Sequence, residues 1–296
     1  MSPRAPEGGA WPFQDRSLGQ FVDDMLAVSA PLYRDLPWRG IDDPYAVLVS
    51  EIMLQQTQVV RVERFWRRFL EDFPTIDALA AAAVPDVLER WQGLGYNRRA
   101  LALKRTADQC AAENAGCLPA TYEGLLALPG IGPATAAGVM AFAYQQPGLY
   151  LETNVRAVFL HELFPDEEQV SDRVLEPLVR AAAFHPVAAA DLRRWYYGLL
   201  DYGAHLKATV PNPSRRSASH SRQSTFEGSR RQKRAWVVRR VLAAPEGVKA
   251  TQVLVDLEHT EREAGRPEVG EELFASIVDD LVSEGFFRRV GQVLVP

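Results

Sequence analysis

Apolar residues recur at every third or fourth position through most of residues 16–207, which is the spacing of one face of an α-helix. The pattern runs through residues 44–73 and 76–92 as two long stretches. Elsewhere glycine or proline interrupts it, notably at Pro119 and Pro147. No stretch in this part of the sequence alternates apolar and polar residues as a half-buried strand would. The pattern predicts an all-α domain of eight or more helices.

Residues 231–296 carry a different order of elements. Three amphipathic stretches, at residues 231–244, 249–260 and 270–285, precede two short apolar runs around Val290 that suit a β-hairpin. Three helices followed by a hairpin predict a small winged-helix-like domain. The third helix is rich in Asp and Glu, so we expect it to contact protein or to be structural rather than to read DNA bases.

Between these domains, residues 208–230 are predicted to form a basic loop. From Pro211 to Arg234 the chain carries seven Lys or Arg residues against the single acidic residue Glu227. The Ser, Pro and Gly content is typical of a solvated linker, but it also suits a loop that becomes ordered on phosphate. The candidate phosphate ligands are Arg215, Arg216 and Arg222.

Composition excludes several classes of protein. The chain is 47% hydrophobic with a formal charge of -5, which argues against a uniformly basic nucleic-acid binder. No apolar run approaches the roughly 18 residues of a membrane span, and the first residues lack the apolar core of a signal peptide, so we expect a cytoplasmic location. Cys110 and Cys117 are too few for a disulfide framework or a four-thiolate cluster, and no metal site is predicted.

The segment LPGIGPATAAGV, at residues 128–139, is a tight turn with two glycines that opens a helix. A helix-hairpin-helix of this kind directs backbone N–H groups at one DNA phosphate, and the turn's carbonyls can hold a monovalent cation. The same hairpin occurs in polymerases and ligases, so it does not identify a reaction. Its candidate DNA-contacting residues are Gly130, Gly132 and Thr135.

Two glutamates are candidates for acid and electrostatic chemistry. Glu51 lies in the apolar helical stretch VSEIMLQQTQV, and a buried carboxylate there would hold its proton as a general acid must, whereas a lone helical glutamate is more often exposed. Glu152 lies in LETNVR, which is also a plausible helix start with Thr153 or Asn154 as the cap. Both interpretations of each stretch stay open at this point.

The segment WQGLGYNRRA, at residues 91–100, presents Leu94 and Tyr96 on a glycine-flanked loop ahead of a basic helix start. An apolar residue at a loop tip beside arginines can enter a DNA duplex as a wedge, since unstacking one base step costs only a few kcal/mol. An apolar contact that caps the following helix is the alternative.

Five motifs together resemble the helix-hairpin-helix DNA glycosylases in order and spacing: LPWR, SEIMLQQTQV, GLGYNRRA, LPGIGPATAAG and ETNVRAV. SEIMLQQTQV is most similar to the adenine DNA glycosylases of the MutY family, and QQTQ is its most specific part. The resemblance covers residues 30–207 or so and implies a two-module fold for the domain at residues 16–207. It implies a six-helix module at about 45–150 and a second module from the N-terminus and the segment after 150, with the active site between them.

The resemblance also implies roles for single residues. Glu51 matches the general acid that protonates the flipped adenine, and Glu152 falls where the family has its catalytic aspartate, which stabilises the cationic sugar. Asn154 matches the asparagine that helps orient these groups. The candidate DNA contacts around the wedge are Gln55, Gln56, Leu94, Tyr96 and Arg98, of which Gln56 and Leu94 match residues inserted into the duplex.

Four features depart from the family's pattern. Glu152 is one methylene longer than aspartate, and Ala134 stands where bifunctional relatives carry a Schiff-base lysine, which favours a glycosylase without a β-lyase step. Lys207 follows DYGAHL where the first cysteine of the usual iron–sulfur cluster would stand, so no cluster is expected. The basic loop is our hypothesis for what replaces the cluster's contact with phosphate. The predicted winged helix differs from the Nudix-like domain with which MutY enzymes recognise 8-oxoguanine.

We therefore predict a monofunctional DNA glycosylase of base excision repair that flips adenine opposite 8-oxoguanine or guanine and hydrolyses its N-glycosidic bond. The same reaction on uracil, mismatched thymine or another damaged base is one alternative, and a non-catalytic damage-binding protein is another. The expected partner is double-stranded DNA with a mispaired or damaged base, bound by a monomer at the cytoplasmic nucleoid and not at a membrane. No cofactor is expected beyond the monovalent cation at the hairpin.

Overall fold

A computed structural model describes residues 11–220 and 225–296, and these form two compact units. The first unit comprises Met1–Glu51 and Leu118–Arg222, and the second comprises Ile52–Cys117 and Gln223–Pro296. The described residues are mainly helical, as the sequence pattern predicts. None of their helices is long and apolar enough to span a membrane.

The first unit is built around one long helix near its C-terminal end. Its helices are α1 (Leu18–Ser29), most of α2 (Pro44–Leu54), α7 (Tyr122–Leu126), α8 (Pro133–Phe142), α9 (Thr153–Leu163), α10 (Asp172–Phe184), α11 (Pro186–Ala189) and α12 (Leu192–Thr209). Helix α12 buries Trp195 and Tyr196 in the core and packs along α9. A Cβ at Gly203 would lie 2.7 Å from the carbonyl carbon of Asn154, so glycine permits this close approach of α12 to the start of α9.

A buried ion pair joins α12 to the segment before α2. Asp201 is 3% exposed, and its two carboxylate oxygens accept hydrogen bonds from Arg39 at 2.6 and 2.9 Å. The backbone N–H and the Nε of Arg34 donate to the same carboxylate at 2.9 and 2.6 Å. Four donated hydrogen bonds satisfy a carboxylate that would otherwise be costly to bury.

The second unit combines residues that are far apart in the sequence. Its first part contains α3 (Val59–Asp72), α4 (Ile76–Ala81), α5 (Val84–Trp91) and α6 (Arg98–Glu113). Its second part contains α13 (Arg230–Leu242), β1 (Val248–Lys249), α14 (Ala250–Glu263), α15 (Glu271–Glu284), β2 (Arg288–Val290) and β3 (Val293–Val295). The strands form an antiparallel sheet in the order β1-β3-β2, with Val248 opposite Leu294 and Val290 opposite Val293. The hairpin at Val290 is thus present, and the winged-helix assignment stays a prediction.

Both long stretches of the apolar pattern are broken in the structure. Helix α2 ends at Leu54 and α3 begins at Val59, because Gln56 takes a positive φ of 55° that no α-helix contains. Residues 76–92 divide into α4 and α5 with extended backbone at Ala82 and Ala83. Pro85 accounts for this second break, since its ring would clash with the Ala81 carbonyl in a continuous helix.

Candidate active site

The turn at residues 128–132 joins α7 to α8 as a helix-hairpin-helix. Gly130 has a φ of +73°, a left-handed conformation that favours glycine, and Gly132 is the extended N-cap of α8. No side chain caps this helix end, and a Cβ at Gly132 would meet no atom within 4 Å among the described residues. The first turn of α8 thus offers backbone N–H groups to an anion, which is what the hairpin prediction requires. Thr135 is buried, at 6% exposure.

Glu51 is half-buried on α2 and lies directly against α8. Its Oε2 accepts a hydrogen bond from the Tyr150 hydroxyl at 3.2 Å. A Cβ at Gly138 of α8 would lie 2.9 Å from the carboxyl carbon of Glu51 and 3.0 Å from the ring of Tyr150, so only glycine leaves room for this carboxyl. Burial raises the pKa of Glu51, the Tyr150 hydrogen bond lowers it and the nearby Glu152 charge raises it, and together these effects place it at about 8. Glu51 is therefore mainly protonated at neutral pH.

Tyr150, like Gly138, is a residue of this site that the sequence did not lead us to predict. It is 5% exposed, and its ring packs edge-on against Phe142 and Tyr196, each at 5.2 Å between ring centroids. The Tyr196 hydroxyl accepts from the Tyr150 backbone N–H at 3.3 Å and donates to the Gly148 carbonyl at 2.5 Å. These contacts fix the Tyr150 hydroxyl against Glu51. The sequence signal that could have identified Tyr150 is its position, as an aromatic residue two places before the candidate Glu152.

Glu152 is itself the N-cap of α9, so the predicted capping by Thr153 or Asn154 is wrong. Its Oε1 accepts from the backbone N–H of Asn154 at 2.5 Å and of Val155 at 3.0 Å. Glutamate reaches these amides because its longer side chain folds back over the first turn. The buried Oδ1 of Asn154 has no hydrogen-bond partner among the described residues, which leaves it able to bind a ligand or water.

The charge of Glu152 is set by opposing effects. Burial is the dominant effect and raises the pKa of Glu152 above its ordinary value, although the two backbone N–H groups and the positive charges of Lys207 and Arg156 lower it in part. Arg156 is oriented by Asp172, which accepts from it at 2.8 and 2.9 Å. Lys207 thus brings a cation to Glu152 from the position where the family resemblance places a cluster cysteine.

The candidate wedge residues lie in the second unit. Gln55 and Gln56 are exposed, whereas Leu94 is buried, at 4% exposure. Tyr96 has a φ of +48°, and its hydroxyl accepts from Arg231 of α13 at 2.8 Å. Arg98 donates two hydrogen bonds to Glu284 of α15, at 2.7 and 2.5 Å.

Residues 213–217 of the basic loop are held in place by contacts within the protein. Residues Pro213–Arg216 form a 3-10 helix, and Val170 bridges to Ser217. The Arg216 guanidinium donates to the carbonyls of Leu160, Phe164 and Pro165 at the end of α9. This corrects the expectation for Arg216, because capping a helix C-terminus occupies the donors that a phosphate would need. Arg215 is exposed, and Arg222 lies outside the described residues.

The residues present do not fit the iron–sulfur cluster that is usual in the family this chain resembles. The sequence has two cysteines, of which Cys110 is buried in α6 and Cys117 is exposed beyond it. Two thiols cannot supply the four ligands of such a cluster. Among the described residues, no group of three or more His, Cys, Asp or Glu side chains is arranged to hold a metal ion.

Comparison with known sequences matches residues 49–180 to the HhH-GPD superfamily base excision DNA repair proteins. The adenine DNA glycosylase of Mycolicibacterium smegmatis is 48% identical over 127 residues, which are 42% of this chain and 43% of that protein. The human adenine DNA glycosylase is 38% identical over 134 residues, which are 42% of this chain and 24% of that protein. The chain thus spans less than half the length of the curated relatives it matches.

Comparison with solved structures supports the same fold. A thermostable thymine-DNA glycosylase superposes with a TM-score of 0.55 at 25% identity, covering 63% of this chain and 86% of that chain. A non-covalent endonuclease III–DNA complex superposes with a TM-score of 0.53 at 20% identity, covering 66% of this chain and 89% of that chain. These likenesses confirm the predicted all-α fold of the helix-hairpin-helix glycosylases.

Proposed function

We propose that this protein is a DNA glycosylase of the HhH-GPD superfamily, whose sequences match residues 49–180, and that it excises adenine mispaired with 8-oxoguanine or guanine. The observation that carries the proposal is the Glu51 carboxyl, which accepts a hydrogen bond from Tyr150 and packs against Gly138 in the same unit as Glu152. Its support for adenine is the sequence identity to adenine DNA glycosylases.

Two glutamates divide the chemistry in the proposed reaction. Glu51 donates its proton to a ring nitrogen of the flipped adenine, and the N-glycosidic bond then breaks with its electron pair on the departing base. The negative charge of Glu152 stabilises the resulting cationic sugar, and Asn154 positions the groups around it. Water adds to the sugar and returns a proton to Glu51, which restores the acid.

We further propose hydrolysis without strand cleavage. Ala134 is exposed at the first turn of α8, where a bifunctional enzyme would need an amine nucleophile. Duplex DNA is the proposed partner, with one phosphate bound at the α8 N-terminus. A monovalent cation at the hairpin carbonyls is the only cofactor in this proposal.

A second candidate substrate is thymine or uracil opposite guanine. The 25% identity and TM-score of 0.55 to the thymine-DNA glycosylase favour it. The replacement of the family's aspartate by Glu152 is also compatible with a different base as substrate.

The test is single-turnover excision on five duplexes, containing adenine opposite 8-oxoguanine, adenine opposite guanine, uracil or thymine opposite guanine, and hypoxanthine opposite thymine. We expect strand cleavage on the two adenine duplexes and only after alkali treatment. Cleavage without alkali would contradict the monofunctional assignment. Binding without base release on every duplex would contradict the enzymatic one.

The rate of adenine release should fall as the pH rises through about 8. The active form of Glu51 is the protonated acid, and burial raises the pKa of this carboxyl to about 8. Protonated Glu51 is thus present below that pH and is lost above it, by about tenfold for each further pH unit. Single-turnover rates between about pH 6 and pH 10 measure this. A rate that stays constant above pH 8 would assign the proton to another group.

A further inference from the structure

A groove of about 460 Å³ lies within the second unit, between the loop at residues 92–97 and the start of α13. The loop contributes Leu94 and Tyr96, and the C-terminal part of the chain contributes Phe226, Arg231 and Arg239. Residues from both sequence segments of this unit, Ile52–Cys117 and Gln223–Pro296, therefore build one surface.

One side of the groove is a stack of flat side chains. The Arg231 guanidinium lies 5.2 Å from the ring centroid of Tyr96 and 5.2 Å from that of Phe226, so it is placed between two aromatic faces. Its hydrogen bond to the Tyr96 hydroxyl, at 2.8 Å, holds the loop and α13 together. Phe226 is 46% exposed, so much of this ring surface is open to a planar ligand.

The groove is positively charged. Three arginines line it, Arg61, Arg231 and Arg239, and no carboxylate is among its described lining residues. The nearby Glu284 does not neutralise them, because it pairs with Arg98 and Arg234. Within the described residues, the exposed Arg239 guanidinium makes no hydrogen bond or ion pair.

We propose that this groove binds one unstacked nucleotide of the DNA substrate, with its base on the Phe226–Arg231–Tyr96 stack and its phosphate on Arg239. Aromatic and guanidinium planes accept any base by stacking, and unpaired arginines bind phosphate. A peptide partner is less suited, since the stack and three cations match a planar anion. The C-terminal part of the chain then takes part in substrate binding. This inference rests on the proposed function and adds to it a binding site outside the Glu51 centre.

The test measures duplex binding by the full chain in the Glu51→Gln background, so that turnover does not interfere. Phe226→Ala should weaken binding by at least about fivefold through lost stacking. Arg239→Ala should weaken it and reduce the salt slope by about one unit. Arg288→Ala is the matched control, because Arg288 is an exposed cation of β2 that does not line the groove.

Two modified duplexes identify the strand that supplies the nucleotide. If it comes from the strand opposite the adenine, removing only the opposite base should abolish the Phe226→Ala effect. If it comes from the adenine strand, removing the adenine base should abolish it instead. Either result supports the site. The proposal would be overturned if Phe226→Ala and Arg239→Ala bound every duplex as tightly as the control Arg288→Ala.

Two further measurements distinguish loss of the nucleotide site from misfolding and from failure of the proposed reaction. Thermal unfolding of Phe226→Ala and Arg239→Ala should match that of the parent, since both side chains are exposed. Excision by protein with Glu51 intact tests the proposed reaction independently. A failure of excision with normal groove effects would refute the enzyme and keep the nucleotide site.

Discussion

Replacing Glu51 by Gln should lower the single-turnover rate of adenine release by about 100- to 10,000-fold, the range that general acid catalysis contributes. Glutamine keeps the shape of the side chain beside Gly138 and can still bond the Tyr150 hydroxyl. It has no proton of suitable acidity to give to the base. Duplex affinity should therefore change by less than about twofold, while the chemical step is lost.

Glu123→Gln is the matched control for this substitution. Glu123 is an exposed glutamate in the first turn of α7, and its carboxyl contacts no residue of the Glu51 site. The control should excise adenine at the parent rate. An unchanged excision rate in Glu51→Gln would show that Glu51 is not the general acid. A loss of duplex affinity as large as the loss of excision rate would indicate a structural role instead.

The resemblance to helix-hairpin-helix glycosylases assigns Glu51 to the proposed chemistry, but the sequence does not show how its carboxyl is held. The glycine that makes room for it, Gly138, lies 87 positions later in the numbering of the chain, and the tyrosine that bonds it lies later still. Such contacts depend on tertiary packing, which local periodicity does not encode.

The capping of α9 shows the same limit at short range. Residue preferences correctly indicated a helix start in LETNVR, but Glu152 rather than Thr153 or Asn154 accepts the amide hydrogen bonds. Glutamate is an uncommon cap, so a statistical preference pointed to the wrong neighbour. The carboxylate that departs from the family's aspartate is therefore anchored at the positive end of α9, which offsets part of the burial that raises its pKa.

Helix existence was easier to predict than helix boundaries. The apolar pattern continues through Gln56 and Pro85, where the chain leaves the helical conformation. Helix α10 and strand β1 did not emerge from the pattern; β1 has only two residues and exists through its pairing with β3. Arg216 and Arg98 likewise looked like free cations in sequence, and only tertiary structure supplies their carbonyl and carboxylate partners.

Replacing Asp201 by Ala should destabilise the protein by about 3–5 kcal/mol, because it leaves the Arg39 guanidinium buried without a counter-charge. Arg34 would lose its partner as well, and the segment before α2 would lose its connection to α12. Urea unfolding, followed by circular dichroism, measures the change. Asp201→Asn should be less harmful, since its amide oxygen can still accept one of the four hydrogen bonds.

The matched control is Asp72→Ala, which removes a carboxylate that pairs with Arg90 at 2.6 Å. Both side chains of that pair are partly exposed, at 42% and 36%, so water replaces the lost partner and the cost should be about 1 kcal/mol or less. Equal losses in the two variants would mean that burial does not amplify the Asp201 pair. A larger loss for Asp201 would establish that α12, which packs along α9 and carries Lys207 near Glu152, depends on this ion pair for its place in the first unit.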